Sequence, residues 1–388
     1  MPPSAETARA TSPSRHCEGN CPHAGVPWFW PMHLFEMWMD EGAHVSSEIL
    51  SFAAEAYKID QGLKPVWSTP NTVTLELTTM HLRDFSASHA EGLPVIIDAP
   101  HAGHSATIAD FSPRQSLVRT LKKHGLERLY VTDWKSASAE MKFLSIDSYL
   151  EEMNVVIDDL GGQAHLIGLC QGGWMSAAYA ARFPGKVRTL TLAGSPIDTA
   201  VGDGKVKELA QTLPLHFYED LVTAGGGRLL GKFMLAGWKS MHPTDQYLNK
   251  YVDLYTHIED KAYVQRAEEF ARWYESPVDL PGTYYLQAVQ WIFKENRLAL
   301  GNFVALGRAL SLKDITIPVY LLAGEEDDIT PPPQVLNADR YLGTPAQALQ
   351  KKLVPGGHIG LFMAHKTLET AWPEIAQWIR AQERAEQP

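Results

Sequence analysis

The stretch His165-Leu166-Ile167-Gly168-Leu169-Cys170-Gln171-Gly172-Gly173-Trp174 decides the reading of this chain. An apolar run closes on a glycine-rich turn, and a helical pattern opens directly behind it. A nucleophile on so sharp a strand-to-helix turn points out of the sheet, and its strained backbone needs neighbours without bulk. Gly168 and Gly172, two residues on either side of Cys170, meet that need. The helix N-terminus favours a thiolate, and the Gln171 amide is placed to meet an oxyanion. A small buried cysteine in a glycine turn is the plainer alternative, so elements further along the chain have to decide.

Outward from this turn, apolar runs alternate with helical patterns. Val95-Ile96-Ile97 precedes a helix around Ser116–Lys123, and Leu129-Tyr130-Val131 precedes one around Ile146–Leu160. Thr189–Leu192 follows the helix that starts near Trp174, and Ile317–Leu322 and Leu353-Val354 come later. Strand and helix alternating at this interval implies βαβ units and a mostly parallel sheet with helices on both faces. Thr72–Thr79 alternates apolar and polar residues and is expected as one half-buried strand.

Two loops behind later strands bear on Cys170. Gly324-Glu325-Glu326-Asp327-Asp328-Ile329 is an acidic turn, and Pro355-Gly356-Gly357-His358-Ile359-Gly360 sets a histidine among glycines. Nucleophile, acid and histidine in that chain order, each on a loop after a strand, is the order of an α/β-hydrolase fold with Cys in place of Ser. The expected triad is Cys170, His358 and Asp327, with Asp328 competing for the acid's place. The loop Ala99-Pro100-His101-Ala102-Gly103-His104-Ser105 follows the Val95 strand, so His101 or Ala102 is the candidate second oxyanion donor beside Gln171. Structural hydrogen bonding is the plainer role for the His101 and His104 rings, and helix packing the plainer role for Trp174.

Composition narrows the function classes. Of 388 residues, 34 are Lys or Arg and 45 are Asp or Glu, a formal net charge of −11, which argues against a general nucleic-acid binder. The three cysteines, Cys17, Cys21 and Cys170, are too few for a disulfide framework and fit a reducing cytoplasm. No apolar run reaches membrane-span length, and the first fifteen residues lack the apolar core of a signal peptide.

The expected organisation follows. Residues 1–27 read as a flexible tail, in which His16, Cys17, Cys21 and His23 lack a second ligand pair at zinc-finger spacing. Residues 28–60 read as an amphipathic helical extension packed on the core, with Trp28–Met32 as an apolar start. Residues 70–197 and 305–388 form the expected hydrolase core. Residues 198–304 form a helical cap whose aromatics, Phe217, Tyr218, Phe233, Trp238, Trp273, Tyr284 and Tyr285 among them, suggest a lid on an apolar acyl site, while most of them are expected in the cap's own core.

Gly168-Leu169-Cys170-Gln171-Gly172-Gly173, Asp327 before Ile329, and Gly357-His358-Ile359 resemble the polyhydroxyalkanoate (PHA) synthases, particularly the short catalytic subunit of the two-subunit class. The resemblance continues through Ser116-Leu117-Val118, Val131–Lys135 and Asn296-Arg297-Leu298. Ala99–Thr107, Gly194–Thr199, Tyr284–Gln287 and Asp327-Asp328-Ile329 are more similar to the intracellular PHA depolymerases that use cysteine. The resemblance implies a Cys-His-Asp enzyme handling 3-hydroxyacyl esters or thioesters through an acyl-cysteine. Two departures set the chain between the branches: Asp328 stands where synthases carry His, and the Gly172-Gly173 pair stands where depolymerases carry a proline-bearing turn.

An intracellular PHA hydrolase is the first expectation. A PHA synthase catalytic subunit, with 3-hydroxyacyl-CoA as substrate, is the alternative, and a non-catalytic granule-associated protein the second alternative. None requires a cofactor or a metal. A polyester or 3-hydroxyacyl ester is the expected partner in the cytoplasm, with a PHA granule surface, a homodimer or a second synthase-type subunit as further candidates.

Overall fold

The computed structural model describes residues 47–60, 64–241 and 249–384. Eight strands form the main sheet: β1 Thr72–Glu76, β2 Met80–Asp84, β3 Val95–Asp98, β4 Leu129–Trp134, β5 Ala164–Leu169, β6 Val187–Ala193, β7 Val319–Gly324 and β8 Leu349–Val354. Their spatial order is β1-β2-β4-β3-β5-β6-β7-β8. Strands β3 to β8 run parallel, while β2 pairs antiparallel with both β1 and β4. This is the α/β-hydrolase fold. The inner strands β3, β5 and β7 are buried at every residue, which is why they read as unbroken apolar runs.

The expected single strand Thr72–Thr79 is instead the first arm of a hairpin. It stops at Glu76, the Leu77 amide donates to the Met80 carbonyl at 2.9 Å, and the chain returns as β2. At this edge of the sheet β1 has little to bury against, and Val73 is exposed.

Helix α1, Ser47–Asp60, is the part of the amphipathic extension that is described; the tail with Cys17 and Cys21, and Trp28–Met32, lie outside the described residues. The core helices are α2 Leu117–Lys123, α3 Ile146–Asp159 and α4 Gln171–Arg182. Helix α3 buries Ile146, Tyr149, Leu150, Met153, Val156 and Ile157, the three- and four-residue stripe of a helix seated on a sheet.

Between β6 and β7 the chain leaves the sheet to form α5 Lys205–Thr212, α6 Leu215–Ala224, α7 Gly231–Met241, α8 Lys250–Thr256, α9 Lys261–Tyr274 and α10 Gly282–Gln287. Helix α1 packs against α8 and α9 of this insertion, not against the sheet-bearing core as expected. Phe52 meets Tyr255 edge-on at 5.6 Å, and Lys58 reaches Glu268 at 3.5 Å. Glu275 ties α7 to α8, with Lys239 at 2.6 Å and Lys250 at 2.8 Å. The C-terminal helix α11, His365–Arg384, closes the far face over α2.

Candidate active site

Cys170 lies at the junction of β5 and α4 with φ 51° and ψ −118°, a conformation that costs a non-glycine residue about 1–3 kcal/mol. Neighbouring structure enforces it. The Cys170 amide donates to Ala193 O of β6 at 2.9 Å, and its carbonyl accepts the Gly173 amide at 3.0 Å. The glycines answer to close approach as much as to the turn. A Cβ on Gly172 would stand 2.1 Å from Asp98 O, and one on Gly173 would stand 1.7 Å from Ser195 Oγ. Helix α4 can therefore seat itself against β3 and β6 only with bare backbone at its first turn.

The loops after β7 and β8 bring Asp327 and His358 to the same end of the sheet. His358 Nδ1 is 2.7 Å from Asp327 Oδ2, and Asp327 Oδ1 accepts the amides of Ile329 at 3.0 Å and Thr330 at 2.8 Å. Asp327 is thus the carboxylate held on the imidazole, while Asp328 lines the neighbouring cavity. With Nδ1 engaged, Nε2 is left toward Cys170, and it has no oxygen or nitrogen partner among the described residues. Burial alone would push the His358 imidazole down. The neighbouring Cys170 and Asp327 charges, with the hydrogen bond to Asp327, outweigh burial and hold it well above the usual histidine range.

The oxyanion candidates lie in different settings around Cys170. The Gln171 amide opens α4 and so has no intrahelical partner. Ala102 borders the same cavity as Cys170. The His101 ring is fully buried behind the loop, with Nε2 2.9 Å from Tyr149 OH and ring contacts to Trp134, Tyr149 and Tyr284. Burial holds that ring neutral, pushing it down to about 3, and its contacts brace the loop from behind. His104 does face the cavity, stacked on Trp273 and Tyr274 with Nε2 3.1 Å from Tyr274 O. Trp174 is fully buried against Tyr284 and Phe303.

Two cavities meet at Cys170. One, of about 360 Å³, is bordered by His358, Ala102, Trp273 and Phe362. The other, of about 410 Å³, lies under the cap and is bordered by Gln171 and apolar residues of α5, α6 and α7. Trp238 and Ile329 border both, and Trp238 Nε1 donates to Ala102 O at 3.2 Å. Phe217, Tyr218, Phe233, Trp238, Trp273 and Tyr285 line cavities; Phe233 and Tyr285 also pack on the cap's own apolar cluster of Val222, Leu229 and Leu280, and Tyr284 packs on the hydrolase core. Their spacing in the sequence carried no sign of which side they would face. Asp98, also missed, ends the buried β3 beneath the site and accepts Ser176 Oγ at 2.8 Å; an acid closing an unbroken apolar run was its only signal.

The family described as "Protein of unknown function (DUF3141)" matches residues 48–379. The chain belongs to this family. Its curated relatives carry a more specific description. It is 26% identical over 322 residues to the poly(3-hydroxyalkanoate) polymerase subunit PhaC of Haloferax mediterranei, covering 81% of this chain and 64% of that protein. It is 27% identical over 335 residues to the subunit of the same description from Allochromatium vinosum, covering 84% of this chain and 90% of that one. The chain thus spans just under two thirds of the haloarchaeal relative and most of the bacterial one. Among solved structures it is similar to the monoacylglycerol lipase of Paleococcus ferrophilus, with 16% identity and a TM-score of 0.49 over 78% of this chain and 99% of that one; the fold assignment rests on the strand order. This DUF3141 member has the α/β-hydrolase strand order and is similar to proteins described as poly(3-hydroxyalkanoate) polymerase subunits. The relatives' descriptions favour the synthase alternative over the hydrolase that the loops around Ala99 and Gly194 put first. Among the described residues, no helix is long and apolar enough to cross a membrane.

Proposed function

We propose that this chain is an acyltransferase of the PHA synthase type, which moves 3-hydroxyacyl groups from CoA thioesters through Cys170 to the hydroxyl end of a growing polyester. The observation that carries this reading is the meeting of two largely apolar cavities at Cys170, only one of them bordered by His358. A transferase has to seat an acyl group while a leaving thiol and then an incoming hydroxyl take turns beside the base. Two cavities divided at the nucleophile provide for that.

In the proposed cycle, Cys170 Sγ attacks the thioester carbonyl, and the oxyanion is met by the amides of Gln171 and the Ala102 loop. Collapse breaks the bond to CoA, whose sulfur takes the proton from His358 Nε2. The hydroxyl of the polymer end then gives its proton to Nε2 as its oxygen attacks the acyl-cysteine. The C–S bond breaks and the thiolate–imidazolium pair returns. Asp327 keeps Nδ1 protonated and the ring in register throughout. A cysteine suits the task because the acyl-enzyme is still a thioester, so the step to an oxygen ester runs downhill. Apolar walls disfavour water as the competing acceptor.

The test supplies the purified chain with 3-hydroxyacyl-CoA and, separately, with amorphous polyester. Thiol release with polymer growth is expected, both abolished by Cys170→Ala. Loss of polyester to free 3-hydroxy acids, with no thiol released from the CoA ester, would sink the synthase reading in favour of hydrolysis.

A further inference from the structure

We infer that the cavity under the cap is the acyl-chain pocket and that it is built for 3-hydroxyacyl groups longer than four carbons, the medium-chain class. This rests on the acyl-transfer reading above and adds to it the side of Cys170 on which the acyl chain lies and the substrate class selected.

The assignment of sides follows from His358. The base has to protonate the leaving sulfur and deprotonate the incoming hydroxyl, so both belong in the cavity that His358 borders. The acyl chain then takes the cavity that shares Cys170 and Gln171 but not His358. Trp238, pinned to Ala102 O, and Ile329 form the wall between the two.

The size class follows from volume and lining. Leu209, Leu213, Phe217, Leu221, Phe233 and Val289 surround a space of about 410 Å³. A 3-hydroxybutyryl group would place one methyl there beyond its hydroxyl carbon and leave most of that apolar surface uncovered. Each methylene added within such a pocket strengthens binding by roughly fourfold. The chain offers a direct way to fill the space. Gly237 lies within α7 and borders the cavity, and among the described residues a Cβ built on it meets nothing within 4 Å. Replacing a helical glycine also raises helix propensity, so a larger residue there fills the cavity without costing the fold.

The experiment measures the rate at which Cys170 of the full chain is acylated, by intact mass and thiol release, with 3-hydroxybutyryl-CoA and 3-hydroxyoctanoyl-CoA. The eight-carbon substrate is expected to react at least tenfold faster at subsaturating concentration. Gly237→Phe is expected to lower that ratio at least tenfold, and Gly237→Ala to move it far less. A preference for four carbons, or a ratio untouched by Gly237→Phe, overturns the assignment while leaving acyl transfer standing. Absence of an adduct with either substrate overturns the acyl-transfer reading itself, and this inference with it.

Discussion

His358 Nδ1 stands 2.7 Å from Asp327 Oδ2, and the other oxygen of that carboxylate is taken by the amides of Ile329 and Thr330. The carboxylate is therefore anchored by its own loop before it meets the imidazole. Two adjacent acids in sequence become one acid held on the imidazole and one that borders the cavity beside it.

This predicts an asymmetric pair of variants. Asp327→Asn removes a charge and a hydrogen bond that hold His358 up, so the imidazole titrates lower. Cys170 acylation is expected to slow by about 10²- to 10⁴-fold, by analogy with the loss of the acid in serine triads. Asp328→Asn is expected to cost far less. Pre-steady-state thiol release compares the two, and equal losses would contradict the assignment of the acid.

A second prediction concerns the first turn of α4. Gly173→Ala puts a Cβ 1.7 Å from Ser195 Oγ, and overpacking of this kind costs about 1–3 kcal/mol. Ser195→Gly removes both atoms in the way, so the double variant is expected to recover part of that loss. Gly172→Ala has no such partner, since its Cβ would strike the backbone oxygen of Asp98. Urea unfolding of the cycle measures the coupling, and strict additivity would show that the clash is relieved elsewhere.

Much of this architecture was legible in the sequence, for identifiable reasons. Val95–Ile97, Ile167 and Leu321 lie on strands buried on both faces, so their runs are unbroken whatever surrounds them. Cys170, Asp327 and His358 each follow a strand that ends on the same side of a parallel sheet, so chain order alone placed them together. The β1–β2 hairpin was not legible, because the apolar–polar alternation runs on past Glu76 through Leu77, where the chain already turns. Nor were the cavities: Trp273 has the same neighbours in sequence whether it fills a core or walls a pocket. The docking of α1 on the cap was hidden for a related reason, since an apolar stripe shows that a helix packs but not on what.

Asp98 yields a pH prediction. Burial pushes its carboxyl up to about 8, against the opposing bonds from Ser176 and Thr132. Between about pH 4 and 8 the unfolded chain releases this proton while the native chain keeps it, so the native state binds more protons and its stability falls as pH rises. Asp98→Asn keeps the shape and cannot ionise. It is expected to flatten the decline in unfolding free energy between pH 5 and pH 8 by several kcal/mol. Parallel urea curves at the two pH values test this, and identical slopes in both proteins would place the ionisation elsewhere.

The last prediction concerns the seam where the cap leaves and rejoins the core. Asn296, at φ 50° and ψ 35°, is buried behind a π-helical turn, Ala288–Lys294. Its Nδ2 donates to Asp198 Oδ1 at 2.9 Å, and its Oδ1 accepts the Thr199 amide at 3.0 Å, while Tyr341 OH donates to Asp198 Oδ2 at 2.8 Å. Residues near the two ends of the insertion are thus clasped to each other by the Asn296 side chain, and Asp198 ties that clasp to Tyr341 of the core. Asn tolerates the left-handed backbone that Ala resists, so Asn296→Ala loses on two counts: buried groups left unpaired and a strained backbone. A destabilisation of roughly 2–4 kcal/mol is expected, with faster hydrogen exchange in α5 and α10 before the sheet is affected. Asn296→Gly relieves the backbone strain and leaves the hydrogen bonds broken, so it should recover only the smaller share. If Gly restores full protection to the cap, the clasp acts through backbone shape alone and the Asp198–Asn296 bond is incidental.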